Sequence, residues 1–256
     1  MDITTIGGIL FAIACILGGQ AIEGGHASSL MQATAAIIVF GGTTGAVAVA
    51  YPLPDFIRGM KAAKRAMTNE HHDIGKLIAD ILELAGVARR DGVLALESRM
   101  ANVTDPFLKR ALQFLVDGVD ATVARDALET EIHAEFEEES LTAKVWESFG
   151  GFSPTVGILG AVLGLIHVME NLADPSKLGS GIATAFVATV YGVGFANLVA
   201  LPLATKIKRK LNLEKERKTL IAEGVLSIQE GLNPRVLEEK LRAYAGPHLA
   251  PKAEAA

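Results

Sequence analysis

Four stretches of this sequence are apolar over the length that a bilayer demands: residues 3–22, 32–56, 152–172 and 182–207. A hydrocarbon core takes about 20 residues of α-helix, and short of a closed barrel no other structure satisfies the backbone there. Charge within these stretches is confined to their ends, at Asp55, Glu170 and Lys206. The sequence therefore predicts four transmembrane helices. The fold class expected is an all-α integral membrane protein built as two helical hairpins. A helical cytoplasmic domain is inserted between the second and third spans, and further helices follow the fourth. The segments expected are 1–56 (spans one and two), 57–148 (cytoplasmic), 149–207 (spans three and four) and 208–256 (cytoplasmic).

Basic residues beside the spans set orientation. Arg58, Lys61, Lys64 and Arg65 follow the second span, and Lys206, Lys208, Arg209 and Lys210 follow the fourth. The links QAIEGGHASS and ENLADPSKLGSG carry only Lys177 among lysines and arginines. Both termini and the insert are thus expected in the cytoplasm. MDITT has no basic run before the first span, which argues against a cleaved signal peptide. In the insert, Ile74, Leu77, Ile78, Ile81, Leu82 and Leu84/Ala85 form a helical stripe. Asp105-Pro106 reads as a cap and first helical residue, and Gly118 as a stop. A helix from about Ala121 is expected to run through Glu139 and on to Trp146, near the headgroups. EFEEES (135–140) reads as a solvated helix face. The charged helix after the fourth span is expected to end at Gly231, with a last helix from Asn233-Pro234 and a disordered tail, GPHLAPKAEAA.

The third and fourth spans are poor anchors. FSPTVGILGAVLGLIHVM sets Gly157, Gly160/Ala161 and Gly164 three and four residues apart, hence on one face. IATAFVATVYGVGFANLVALP does the same with Ala185, Ala188/Thr189, Gly192 and Ala196. Helices in lipid gain nothing by hiding Leu from Leu; they associate through small residues that let backbones approach. Spacing alone allows two readings: a seam between the two spans, or the wall of a narrow path. Ala161 and Thr189 each fall about halfway along their spans, and a threonine there either bonds its own helix or faces the path. Pro154 and Pro202 fall at the cytoplasmic ends of the spans, one as a helix start or hinge and the other as a kink. Ion paths through membranes use titratable side chains. These spans offer only His167, near the outer end, read as structural or interfacial. A titrating carboxylate must then come from another subunit.

These stretches, continued by LATKIKRK and joined by RRDGVLALE (89–97), resemble the MotA/PomA family of flagellar stator subunits, within the wider MotA/TolQ/ExbB group. The resemblance spans nearly the whole chain. It implies a homo-oligomeric ring, a pentamer, around a MotB-type peptidoglycan-binding subunit that supplies a transmembrane Asp. It also implies charged contact with the rotor protein FliG, carried over to Arg89, Arg90 and Glu97. Thr189, Ala161 and Thr155 become the ion-path residues, Pro154 and Pro202 the coupling hinges, and Gly157, Gly160, Gly164 and Gly192 the packing residues. Sodium-driven PomA-type relatives have a threonine where this chain has Ala161, so a missing hydroxyl favours protons. An ExbB/TolQ-like role in outer-membrane transport is the alternative, but those relatives have three spans.

Nothing in the sequence calls for an enzyme, a cofactor or nucleic acid. GxxxxGK[ST] is missing, and the single cysteine, Cys15, excludes a disulfide within the chain. His71-His72 reads as loop surface without a metal-ligand set.

Overall fold

The structure is a computed structural model describing residues 3–68, 73–173 and 175–249, so His71, His72 and residues 250–256 lie outside the described residues. Among the described residues, four helices are long and apolar enough to cross a membrane. The first, α1 (Ile3–Ile22), has no residue buried by the rest of the chain. The second, α2 (Ala33–Ala50), contains a π-wound turn at Ile37–Gly41. It stops at Ala50 rather than at Phe56, because Pro52 forces Tyr51 into extended backbone (φ −131°, ψ 144°). Phe56 instead belongs to the amphipathic helix α3 (Leu53–Ala66).

The remaining elements are α4 (Ile74–Asp91), α5 (Leu96–Met100), α6 (Pro106–Val116), α7 (Ala121–Glu170), α8 (Pro175–Phe195), α9 (Leu201–Gln229) and α10 (Pro234–Leu249). The third membrane span is the last part of α7. The fourth is formed by α8 and the start of α9, joined by a second π turn at Ala196–Ala200. The chain divides into two units, Met1–Asn69 with Glu139–Lys210, and Glu70–Glu138 with Leu211–Ala256.

In the first unit α3 packs on α7 through a glycine. A Cβ on Gly59 would lie 2.7 Å from Val145 Cβ, so no larger residue fits there. The close approach lets Trp146 Nε1 donate to the Gly59 carbonyl at 2.8 Å. The Trp146 indole is buried inside the protein. Glu139 accepts from Arg58 at 3.1 Å and lies 3.7 Å from Arg65, and Tyr51 Oη meets Ser148 Oγ at 2.8 Å.

The second unit is a helical core. Ile74, Ile78, Ile81, Leu84 and Ala85 of α4 pack with residues of α6, α7, α9 and α10, while Leu77 and Leu82 are only partly buried. Its helix ends follow local rules. Asp105 caps α6 by accepting from Leu108 N at 2.9 Å, and Gly118 and Gly231 take left-handed φ of 69° and 72° where α6 and α9 end. Charge is buried in pairs. Arg217 bonds Glu214 at 2.7 Å and also Asp105; Glu223 bonds Lys240 at 2.7 Å and also Arg125. Burial raises the Asp105 carboxyl, but the Leu108 N–H and the Arg217 guanidinium outweigh it and hold it below the ordinary range. Burial likewise raises Glu223, and Lys240 and Arg125 outweigh it.

Two expectations for solvated segments change. EFEEES is not simply a solvated face: Glu135 pairs with Lys218 in the second unit, and Glu139 with Arg58 in the first. The tail expected to be disordered begins as helix, since α10 continues through Leu249.

Candidate functional site

The spans of α7 and α8 meet along a seam of small residues. At Gly157 an added Cβ would lie 2.9 Å from the Ala188 carbonyl oxygen and 3.2 Å from Gly192 Cα. At Gly192 it would lie 2.6 Å from the Ser153 carbonyl oxygen, and at Gly160 2.7 Å from Ala188 Cβ. At Gly164 it would meet Ala185 N and the Gly181 carbonyl oxygen, both at 2.8 Å. Most of these neighbours are backbone atoms, which cannot swing aside. The register runs antiparallel, from Ser153–Gly192 at one end to Gly164–Gly181 at the other. Ala185, Ala188 and Ala196 are buried on the same side of the fourth span. The second span joins this seam: Ile38 lies 3.2 Å from the Gly160 Cβ position and Val156 3.0 Å from that of Gly42.

Of the three candidate path residues, Thr189 borders this seam, its Cα 3.5 Å from the Cβ position of Gly157. Thr155 is exposed and Ala161 and Thr189 are half-buried. Thr155 Oγ1 donates to the Phe152 carbonyl at 2.8 Å, and Thr189 Oγ1 to the Ala185 carbonyl at 3.4 Å, both within their own helices. The Thr189 contact is at the weak end of hydrogen-bond distance, so that hydroxyl gives up little by turning to another partner. His167 is exposed, and its carbonyl accepts from Asn171.

Pro154 does not start a helix. It is half-buried inside α7, which runs unbroken over 50 residues from Ala121 to Glu170. Having no N–H, it leaves the Gly150 carbonyl without its usual helical donor. Pro202 is exposed and lies two residues past the Ala196–Ala200 π turn. Wider winding there accommodates the proline without a break. Arg89 and Arg90, in the last turn of α4, and Glu97, in the first turn of α5, are all exposed. Gly92 (φ 85°) turns the chain between them, and Leu94 stands 70% exposed at the same corner.

Sequence reasoning assigned no role to Ser153, which is fully buried and donates to the Gly192 carbonyl at 3.0 Å. A signal was present, since Ser153 precedes Gly157 by four residues and continues the small-residue spacing. Tyr191 was also missed. Its hydroxyl bonds the Leu30 carbonyl and receives Gln32 N at 3.3 Å, and its ring stacks on Phe40 at 5.7 Å. No local pattern announces a contact across 161 residues of sequence.

A model of the MotA/TolQ/ExbB proton channel family matches residues 99–219, and one of the motility protein A N-terminal region matches residues 6–92. Motility protein A of Bacillus subtilis (strain 168) is 36% identical over 246 residues, covering 95% of this chain and 91% of that protein. The chain belongs to the MotA/TolQ/ExbB proton channel family. As a MotA/TolQ/ExbB member it is a channel subunit of the inner membrane and not an enzyme. Chemotaxis protein PomA of Vibrio alginolyticus is 34% identical over 244 residues, covering 95% of each chain. The structure of C. jejuni MotAB has a chain that superposes with a TM-score of 0.92 at 32% identity, covering 100% of both chains. The all-α architecture with four membrane helices is thus the architecture of a MotA-type chain.

Proposed function

We propose that this chain is the stator subunit of a bacterial flagellar motor, in which a ring of copies surrounds a MotB-type partner and turns proton flow into torque. One observation carries the reading. The paired spans carry the Thr155 and Thr189 hydroxyls beside a close-packed glycine seam, yet contain no Asp, Glu, Lys or Arg between Gly150 and Met169 or between Leu178 and Thr205. A conducting wall without its own acid needs a partner's carboxylate. The relative C. jejuni MotAB is a complex of that kind by its name. The match of residues 6–92 to the motility protein A N-terminal region favours the motor over a TolQ/ExbB-like role.

The roles follow from placement. Thr189 faces the partner's carboxylate when its hydroxyl turns from Ala185, and Ala161 and Thr155 flank the path. Ala161 offers no oxygen where a sodium ion, which needs several oxygen ligands, would require one. Overall identity does not choose the ion, because motility protein A and PomA relatives match about equally, at 36% and 34%. Pro154 and Pro202 are the hinges that carry movement out of the spans. Arg89, Arg90 and Glu97 are the rotor contact with a FliG-type protein. The basic residues of α3 and of the first turns of α9 support a cytoplasmic location for both termini and for the second unit, with the four-segment division at residues 56, 148 and 207 as part of the proposal.

Deleting the gene is expected to leave assembled but paralysed flagella, and motility should return on re-expression with the partner. Swimming speed should be insensitive to external sodium. A steep dependence on sodium would refute the proton assignment while leaving the stator role intact.

A further inference from the structure

The helical hydrogen-bond ladder is relaxed at one place in α7 and at another in the fourth span. In α7 it is the Gly150 carbonyl, which Pro154 deprives of its usual donor. In the fourth span it is the five-residue π turn Ala196–Ala200 that joins α8 to α9. The two places are distant in sequence and adjacent in space, and two consecutive residues of α7 join them. Phe149 meets Phe195, the last residue of α8, edge to face with ring centroids 6.1 Å apart. Gly150 meets Leu201, the first residue of α9: a Cβ added at Gly150 would overlap that side chain, 2.5 Å from its Cγ. α7 thus touches the π turn at both ends, and does so at the residue whose carbonyl the proline frees. Phe149 and Gly150 are buried, as are Ala196 and Ala200 within the turn, so neither side moves without repacking the other.

We infer that the two hinges are one device, in which bending of α7 at Pro154 and rewinding of the π turn occur together. Phe149 and Gly150 on one side, and Phe195 and Leu201 on the other, are its positioning residues. The inference rests on the hinge role proposed for Pro154 and Pro202 and adds the residues that set one hinge against the other. A helix kinks at a proline, and a kink at Pro154 shifts Phe149 and Gly150 relative to the rest of the span. A π turn is one extra residue in the ladder, so a change in its winding alters the rise and rotation between Phe195 and Leu201. With each α7 residue holding one of those ends, the first movement entails the second. Leu201 is the adjustable part of the grip. It is 38% exposed and sets side-chain carbon, not backbone, against Gly150, so a methyl added at 150 displaces the leucine rather than the helix. Pro202, directly after Leu201, follows any movement of that end.

The test is hydrogen exchange read by mass spectrometry on ring-sized complex with its partner, following the peptide that holds Ala196–Ala200. Pro154→Ala restores the α7 bond, stiffens that helix and should slow exchange in the π turn severalfold. Phe195→Leu with Leu201→Ala loosens both grips, and in that background Pro154→Ala should leave the turn's exchange unchanged. Exchange in the turn that ignores Pro154→Ala, or that slows equally with the grips loosened, would overturn the inference. A second arm is a double-mutant cycle in torque, read from tethered cells. Gly150→Ala and Leu201→Ala should each lower torque severalfold, the first by displacing the leucine and the second by removing it. Together they put two methyls in contact where a leucine met a glycine, and torque should recover. A double variant no better than the weaker single variant would sink the coupling. The hinge reading is judged separately. Undiminished motility in Pro154→Ala would refute the hinge, whereas reduced motility with no change in the π turn would refute only its coupling to the fourth span.

Discussion

At the scale of single residues, the seam sets a strict size limit. Gly192→Val would press side-chain carbon into the Ser153 carbonyl, already 2.6 Å from a Cβ at that position. Overpacking of this kind costs about 1–3 kcal/mol, and here it falls between backbones. The expected result is a lowered melting temperature of the purified complex, with partial loss of ring assembly on size exclusion. Thr189→Val makes the opposite distinction. It keeps the shape and removes a hydroxyl whose 3.4 Å bond to Ala185 stabilises little. Assembly should be unchanged while swimming torque drops severalfold; undiminished torque would make the hydroxyl merely structural. The glycine spacing was legible in the sequence because small residues recur every three and four positions. Spacing could not choose between seam and path, because that requires the register of the facing helix. Only once Gly157 is opposite Gly192 does Thr189 fall at the border of the seam, its Cα 3.5 Å from the Gly157 Cβ position.

At the scale of elements, the proline positions were legible and their surroundings were not. Pro154 lies in an uninterrupted helix that must tolerate one missing hydrogen bond. Pro154→Ala restores the donor to the Gly150 carbonyl and stiffens α7. The ring should still form, and motility should fall at least severalfold, as read from tethered-cell rotation. Local signals were read correctly where physics is local: the Asp105 cap and the glycine stops at Gly118 and Gly231. Hydropathy averaging misplaced the end of α2, although Pro52 marked it. The partners of Glu135 and Glu139 were invisible because they lie 83 and 81 residues away. The contact of α3 with α7 includes one bond that sequence could not foresee. Trp146→Phe removes the donor to Gly59 at a cost of about 1 kcal/mol, which thermal unfolding of the complex should register.

At the scale of the molecule, the two units should respond differently to acid. Asp105 and Glu223, both in the second unit, have carboxyls held below the ordinary range by their partners. A depressed carboxyl contributes stability that is fully present above its unfolded value, about 4, and lost as pH falls through the folded value. Helicity of the second unit should therefore melt on acidification below about pH 4. Asp105→Asn with Glu223→Gln, which keeps a capping side chain at 105, should flatten that dependence in circular dichroism. The chain has one tryptophan, Trp146, and it lies in the first unit, indole against the Gly59 carbonyl and 5.4 Å from the Phe149 ring. Its emission is thus an intrinsic optical gauge of the membrane unit alone. During the acid titration it should hold its wavelength while helicity declines, which separates the two transitions without any added label.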